Sequence, residues 1–122
     1  MRIAIYTRSA TKHTEEQIEA LNRFCHMHDW SVSKTYSDEG CSGANTDRPA
    51  LQEMMADVRA GKIDRVLVHG IERLSRCPQT ALKLIDEIME SGSVLSSPIN
   101  DFDTSTPSGK LKLNILKGFA LR

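Results

Sequence analysis

The chain has 122 residues, enough for one domain with its own core and no need of staples. Apolar residues make up 39% and charged residues 26%, which excludes an intrinsically disordered chain. Lys+Arg and Asp+Glu balance at 16 each, so the net charge gives no sign of a dedicated nucleic-acid-binding module, and any polyanion site either gathers its basic groups locally or leaves most of the affinity to another domain.

Arg2–Tyr6 alternates and is β-rich, predicting a first strand, and the small and polar residues Thr7–His13 predict a loop at its C-terminal end. Thr14-Glu15-Glu16-Gln17 fits a capping box in which Gln17 reaches back toward the cap, and Ile18, Leu21, Phe24 and Cys25 follow at helical spacing. Trp30–Tyr36 reads as a second strand. Ser37–Asp47 is a long run of turn formers, a loop length more often functional than idle in a small domain. Pro49 opens a helix whose stripe is Leu51, Met54, Met55 and Val58 and which Gly61 closes. Asp64–Val68 is a third strand, Gly70–Arg76 a polar loop, and Pro78 opens a helix carrying Leu82, Ile85 and Met89. Val94–Ser97 is a fourth strand, Asn100–Thr106 a loop, and Pro107 starts a last helix that is apolar on more than one face.

The order β-α-β-α-β-α-β-α predicts a single α/β domain, a three-layer sandwich with a mostly parallel sheet of four to five strands flanked by helices. Ligands in such sheets sit beyond the C-terminal ends of the strands. The loops Thr7–His13, Ser37–Asp47 and Gly70–Arg76 lie there, and they hold Arg8 and Ser9, Ser42 and Arg48, and Arg73, Ser75 and Arg76. An arginine presents a planar fork of donors that matches phosphate oxygens, so several converging on one point suit a phosphodiester. A serine hydroxyl among them has the chemistry to attack that phosphate, with the guanidinium groups offsetting the developing charge.

Cys25, Cys41 and Cys77 are odd in number and contain no CxxC pair, which predicts reduced thiols rather than a disulfide framework. His26 and His28 stand two apart on a helix and point apart, so no zinc site is expected. No apolar run approaches the ~20 residues that span a bilayer, and the N-terminus reads as a strand rather than a signal peptide. A cytoplasmic protein is the expectation.

The segments IAIYTRSAT, YSDEGCSGANTDRPALQEMMADVRAGKIDRVLV, IERLSR and FDTSTPSGKLKLNIL, in this order and spacing, resemble the N-terminal catalytic domain of the resolvase/invertase family of serine site-specific recombinases, particularly the large serine recombinases of phages and mobile elements. The resemblance implies a resolvase-like fold and DNA cleavage and religation through a covalent 5′-phosphoserine, with no metal and no other cofactor. It implies double-stranded DNA as partner and assembly as dimers and tetramers. By the same resemblance Arg8, Arg73 and Arg76 are catalytic arginines, Arg48 contacts a DNA phosphate, and Ser42 stands at the rim of the site. The family helix continues beyond Phe119-Ala120, drives dimerisation and leads to a separate DNA-binding domain. Residues 1–122 are therefore expected to be a catalytic domain with that helix cut short.

Two departures bear on the chemistry. The family motif is Tyr-x-Arg-x-Ser-Thr, whereas here it reads Tyr6-Thr7-Arg8-Ser9-Ala10-Thr11, which puts Ala10 where the nucleophile belongs. Ser9 becomes the candidate nucleophile if the loop is displaced by one residue through a bulge, or if Ser9 lies past the strand end. Alternatively Ala10 makes the chain a catalytically inactive DNA-binding or regulatory module, or Thr11 substitutes. Glu72 stands where the family carries Asp, to orient Arg73 or Arg76, to assist a proton transfer, or as a plain ion-pair partner.

Overall fold

The computed structural model describes residues 1–9, 14–39, 48–75 and 77–120, with side chains to 118. The elements are β1 (Ile3–Ser9), α1 (Glu15–Met27), β2 (Val32–Glu39), α2 (Pro49–Arg59), β3 (Arg65–Val68), α3 (Pro78–Glu90), β4 (Val94–Ser97), β5 (Phe102–Asp103) and α4 (Pro107–Ala120). Short 3-10 turns at Ile71–Arg73 and Pro98–Asn100 complete the order. The sheet runs β2-β1-β3-β4-β5, with β1 to β4 parallel and β5 antiparallel to β4. The three-layer α/β architecture is the expected one. The fifth strand lies inside the segment expected to be the Asn100–Thr106 loop, where Thr104 Oγ1 accepts from the Leu95 N–H at 3.0 Å.

All seven residues of β1 are buried, because the strand is central and both of its faces are covered. Side chains alternate between those faces. Ala4 and Tyr6 join a core with Leu51, Met54, Met55 and Val58 of α2, Ile85 and Ile88 of α3, and Leu113 of α4. Ile3 and Ile5 join a smaller core with Leu21 and Cys25 of α1. One face of the sheet is thus roofed by α1 and the other by α2, α3 and α4. β2 is an edge strand, buried only at Tyr36 and Asp38 with Val32 half-buried, and both buried residues face α2.

β1 runs two or three residues further than its apolar alternation suggests, and β2 likewise reaches Glu39 rather than Tyr36. Pairing with each other sustains both extensions: Thr7 sits opposite Ser37, Arg8 opposite Asp38 and Ser9 opposite Glu39. The capping box does not form. Thr14 makes no side-chain cap; its hydroxyl donates to Glu39 Oε1 at 2.7 Å, and Gln17 turns to the end of β1 instead.

Candidate functional site

β1 outlasts its neighbour β3. Their pairing ends at Tyr6 opposite Val68, after which the chain passes through Gly70 into the Ile71–Arg73 turn. Arg8 therefore stands at the C-terminal edge of the sheet beside the backbone of that turn. Its Nε donates to the Arg73 carbonyl at 3.2 Å and its Nη2 to the Glu72 carbonyl at 3.2 Å. Arg73 returns the contact, with Nη1 donating to the Arg8 carbonyl at 3.1 Å. Arg48, just before α2, reaches the same turn: Nη1 donates to the Arg73 carbonyl at 3.0 Å and Nη2 to the Leu74 carbonyl. Two of the predicted arginines, Arg8 and Arg48, thus converge on the carbonyls of residues 72–74, and a third, Arg73, belongs to that turn.

They do not share one role. Arg8 and Arg48 are 1% and 2% exposed and spend donors on the turn, whereas Arg73 is half-buried. Burial of a guanidinium is tolerable only when its donors are satisfied, and carbonyls supply much of that here. Among the described residues, Arg48 Nε and Arg73 Nε are buried donors with no acceptor. Arg8 and Arg48 hold the turn, and Arg73 is its most accessible cation among the described residues.

A second network holds the start of α2, the helix that Arg48 precedes. The buried Tyr6 hydroxyl donates to Asp38 Oδ2 at 2.8 Å, and the same carboxylate accepts the Ala50 and Leu51 N–H groups at 2.9 and 3.0 Å. Asp38 thereby satisfies two of the first N–H groups of α2 and places a negative charge at its positive end. Burial, followed by the hydrogen bond to Asp38, pushes the Tyr6 phenol well above its ordinary range, so it stays a donor. Sequence reasoning passed over Asp38 as one turn former among many. The available signal was an acid at the end of one strand ahead of a helix that opens with Pro49.

Other candidates are placed differently. The register of β1 and β2 is continuous from Ala4 to Ser9, and its irregularity lies between Ile3 and Ala4. Among the described residues neither condition for Ser9 is met: the pairing from Ala4 to Ser9 has no bulge, and Ser9 is the last residue of the strand rather than one past it. Alternation turns Ser9 to the α1 face with Thr7, whose hydroxyl bonds that of Ser37 at 2.8 Å, while Arg8 and Tyr6 occupy the α2 face. The exposed Glu72 makes no ion pair with Arg73. Its carboxylate folds against Gly70, where an added Cβ would lie 2.4 Å from Oε1, and lines a hollow with Ser75, Leu82, Ile85 and Leu116. The Glu72 carbonyl, not its carboxylate, is what serves Arg8. Ser42, Arg76, Ala10 and Thr11 lie outside the described residues. His69 lies near enough to Arg73 to feel its charge; burial first, then Arg73, lower its pKa. Among the described residues no cluster of three or more His, Cys, Asp or Glu is placed to hold a metal, and no helix is long and apolar enough to cross a membrane.

The fold and the site together define an α/β domain whose mostly parallel sheet carries an arginine cluster at its C-terminal edge. The family model described as "Resolvase, N terminal domain" matches residues 3–121, and the chain belongs to that family of serine recombinases. It is similar to a putative DNA recombinase of Bacillus subtilis (strain 168), 34% identical over an alignment of 116 residues that covers 89% of this chain and 22% of that protein. It is also similar to the serine recombinase gin of Escherichia phage Mu, 29% identical over 83 residues, which are 68% of this chain and 42% of that protein. Among solved structures, the N-terminal catalytic domain of TP901-1 integrase superposes with a TM-score of 0.92 at 35% identity, covering 98% of this chain and 93% of that one. A resolvase-family recombinase from Streptococcus pneumoniae gives 0.85 at 26% identity, covering 98% and 85%. The chain spans less than half the length of the phage Mu and B. subtilis relatives.

Proposed function

We propose that this chain is the catalytic domain of a protein that cleaves and rejoins double-stranded DNA at specific sites through a covalent 5′-phosphoserine, acting as a dimer and tetramer. The observation that carries the reading is the reciprocal Arg8–Arg73 brace, joined by Arg48 at the same turn. It gathers cationic donors at the end of the sheet where a family of DNA recombinases carries its chemistry. Attack by a serine oxygen on phosphorus forms the protein–DNA ester and releases a 3′-hydroxyl, and attack of that hydroxyl on the ester reverses the step. The bond energy is conserved, so neither metal nor ATP is required for balance. Arg73 and Arg76 contact the phosphate oxygens, with Arg8 and Arg48 holding the turn that carries Arg73.

A second reading has a specific observation in its favour. With Ser9 on the α1 face and Ala10 at the family's nucleophile position, the chain as it stands binds DNA without cutting it. For Ser9 to attack, the last pair of β1 and β2 must open, a local event at a strand end. A suicide DNA substrate with the full-length protein separates the two. An adduct on a denaturing gel that disappears in Ser9→Ala supports cleavage by this chain. A DNA-bound wild type without adduct, converted to an adduct-former by Ala10→Ser, establishes the inactive binding module instead.

A further inference from the structure

β1 leaves a specific backbone deficit. In an extended strand the N–H and C=O of one residue point to the same edge, and those of Arg8 point to the side where β3 has already ended. Buried backbone groups without partners cost free energy, and Arg8 is 1% exposed. Gln17 of α1 fills the slot. Its Oε1 accepts the Arg8 N–H at 3.3 Å and its Nε2 donates to the Arg8 carbonyl at 3.0 Å, and the side chain is only 5% exposed. A primary amide carries the same donor and acceptor as a peptide group, so one side chain stands in for the missing strand. The two partners also fix the amide's orientation, since a flipped amide would set donor against donor.

The Arg8 carbonyl that Gln17 holds is the one that receives Arg73 Nη1 at 3.1 Å, and the Arg8 side chain holds the Arg73 carbonyl in return. We infer that Gln17 is a positioning residue: by clamping the Arg8 peptide from α1 it sets where the Arg73 guanidinium stands. Gln17 touches no substrate. Its influence passes through two hydrogen bonds to Arg8 and one from Arg73. The activity consequence rests on the cleavage reading above; the geometric consequence does not.

Two variants separate the halves of the clamp. Gln17→Met keeps the length and removes both bonds; Gln17→Glu keeps an acceptor for the Arg8 N–H and loses the donor to its carbonyl. Amide hydrogen exchange on the 122-residue chain reads the geometry. In Gln17→Met the Arg8 N–H should exchange about ten-fold faster or more, while Tyr6 and Leu67 in the same sheet stay protected. In Gln17→Glu the Arg8 N–H should remain protected. Single-turnover cleavage by the full-length protein, in whichever of wild type or Ala10→Ser forms adduct, reads the consequence. The rate should fall about 10- to 100-fold in Gln17→Met and by a smaller factor in Gln17→Glu, with DNA affinity held within about two-fold. If neither protein cleaves, the cleavage reading has failed, and exchange at the Arg8 N–H decides the clamp alone. An Arg8 amide that exchanges equally in wild type and Gln17→Met would overturn the inference, as would a rate and affinity that fall together. If the methionine variant does not fold, the glutamate variant decides. A reduced rate with Arg8 protected supports the clamp, and an unchanged rate contradicts it.

Discussion

Arg8 and Arg73 each donate from the side chain to the other's main-chain carbonyl, at 3.2 and 3.1 Å. The two residues are 65 apart in sequence, and the exchange ties the end of the central strand to the turn after β3. Neither arginine can shift without moving the other's peptide, so the cation positions are a property of the fold rather than of two independent rotamers.

The division of labour between the arginines predicts opposite mutational profiles. Replacing the nearly inaccessible Arg8 with Met strands the Glu72 carbonyl and removes one donor from that of Arg73, at about 1–3 kcal/mol per buried group left unpaired. Arg73→Met, at a half-buried position, should cost less stability and more cleavage. Denaturant unfolding beside single-turnover cleavage measures both, and equal stability losses would contradict the assignment of roles.

Asp38→Ala should lower stability by about 2 kcal/mol, because it uncaps α2 and leaves the buried Tyr6 hydroxyl without its acceptor. For a domain of this size that is a fall of about 6–10 °C in Tm. Tyr6→Phe in the Asp38→Ala background should recover part of the loss, since it removes the stranded hydroxyl. Calorimetry on the two variants checks the order.

Much of the fold was legible because its signals are local. Pro49, Pro78 and Pro107 do open helices, and the α2 stripe Leu51, Met54, Met55 and Val58 is buried as its spacing predicts. The ends of β1 and β2 were not legible, because Thr7–Ser9 and Ser37–Glu39 are polar and become strand by pairing with each other. The site divides the same way. That Arg8, Arg48 and Arg73 meet follows from loops at one edge of a parallel sheet. That Ser9 faces away from them depends on one residue of register, and the Gln17 contact on a helix orientation that no local pattern encodes.

Asp64 gives a pH test. The Arg2 side chain, first by hydrogen bonding, and then the Arg2 backbone N–H lower its carboxyl from the usual value near 3.8 to about 2. A depressed carboxylate contributes stability above its unfolded value and loses it as pH falls. The Arg2–Asp64 contribution should therefore be intact above about pH 4 and gone near pH 2. Stability of Asp64→Asn and wild type, followed from pH 5 to pH 2, should converge across that window; a gap of constant size would contradict the link.

The thiols should differ in reactivity. Cys77 is exposed, and the Thr80 N–H, then the Thr80 hydroxyl, lower its pKa, whereas burial raises that of Cys25. Iodoacetamide at neutral pH should modify Cys77 well before Cys25 in native protein, because the thiolate is the nucleophile. Peptide mass spectrometry over a time course reads the order, and modification of both at one rate would contradict it.

The most direct measurement is to locate the DNA on the protein. Adduct formed on a suicide substrate by the full-length wild type or Ala10→Ser protein is digested with nuclease and trypsin, and the peptide bearing the nucleotide remnant is sequenced by mass spectrometry. A phosphoserine formed beside the Arg8–Arg73 brace places the remnant on the tryptic peptide that begins at Ser9, and the adduct disappears in Arg73→Ala. A remnant on a peptide containing Ser42 or Ser75, or an adduct that survives Arg73→Ala undiminished, would contradict it.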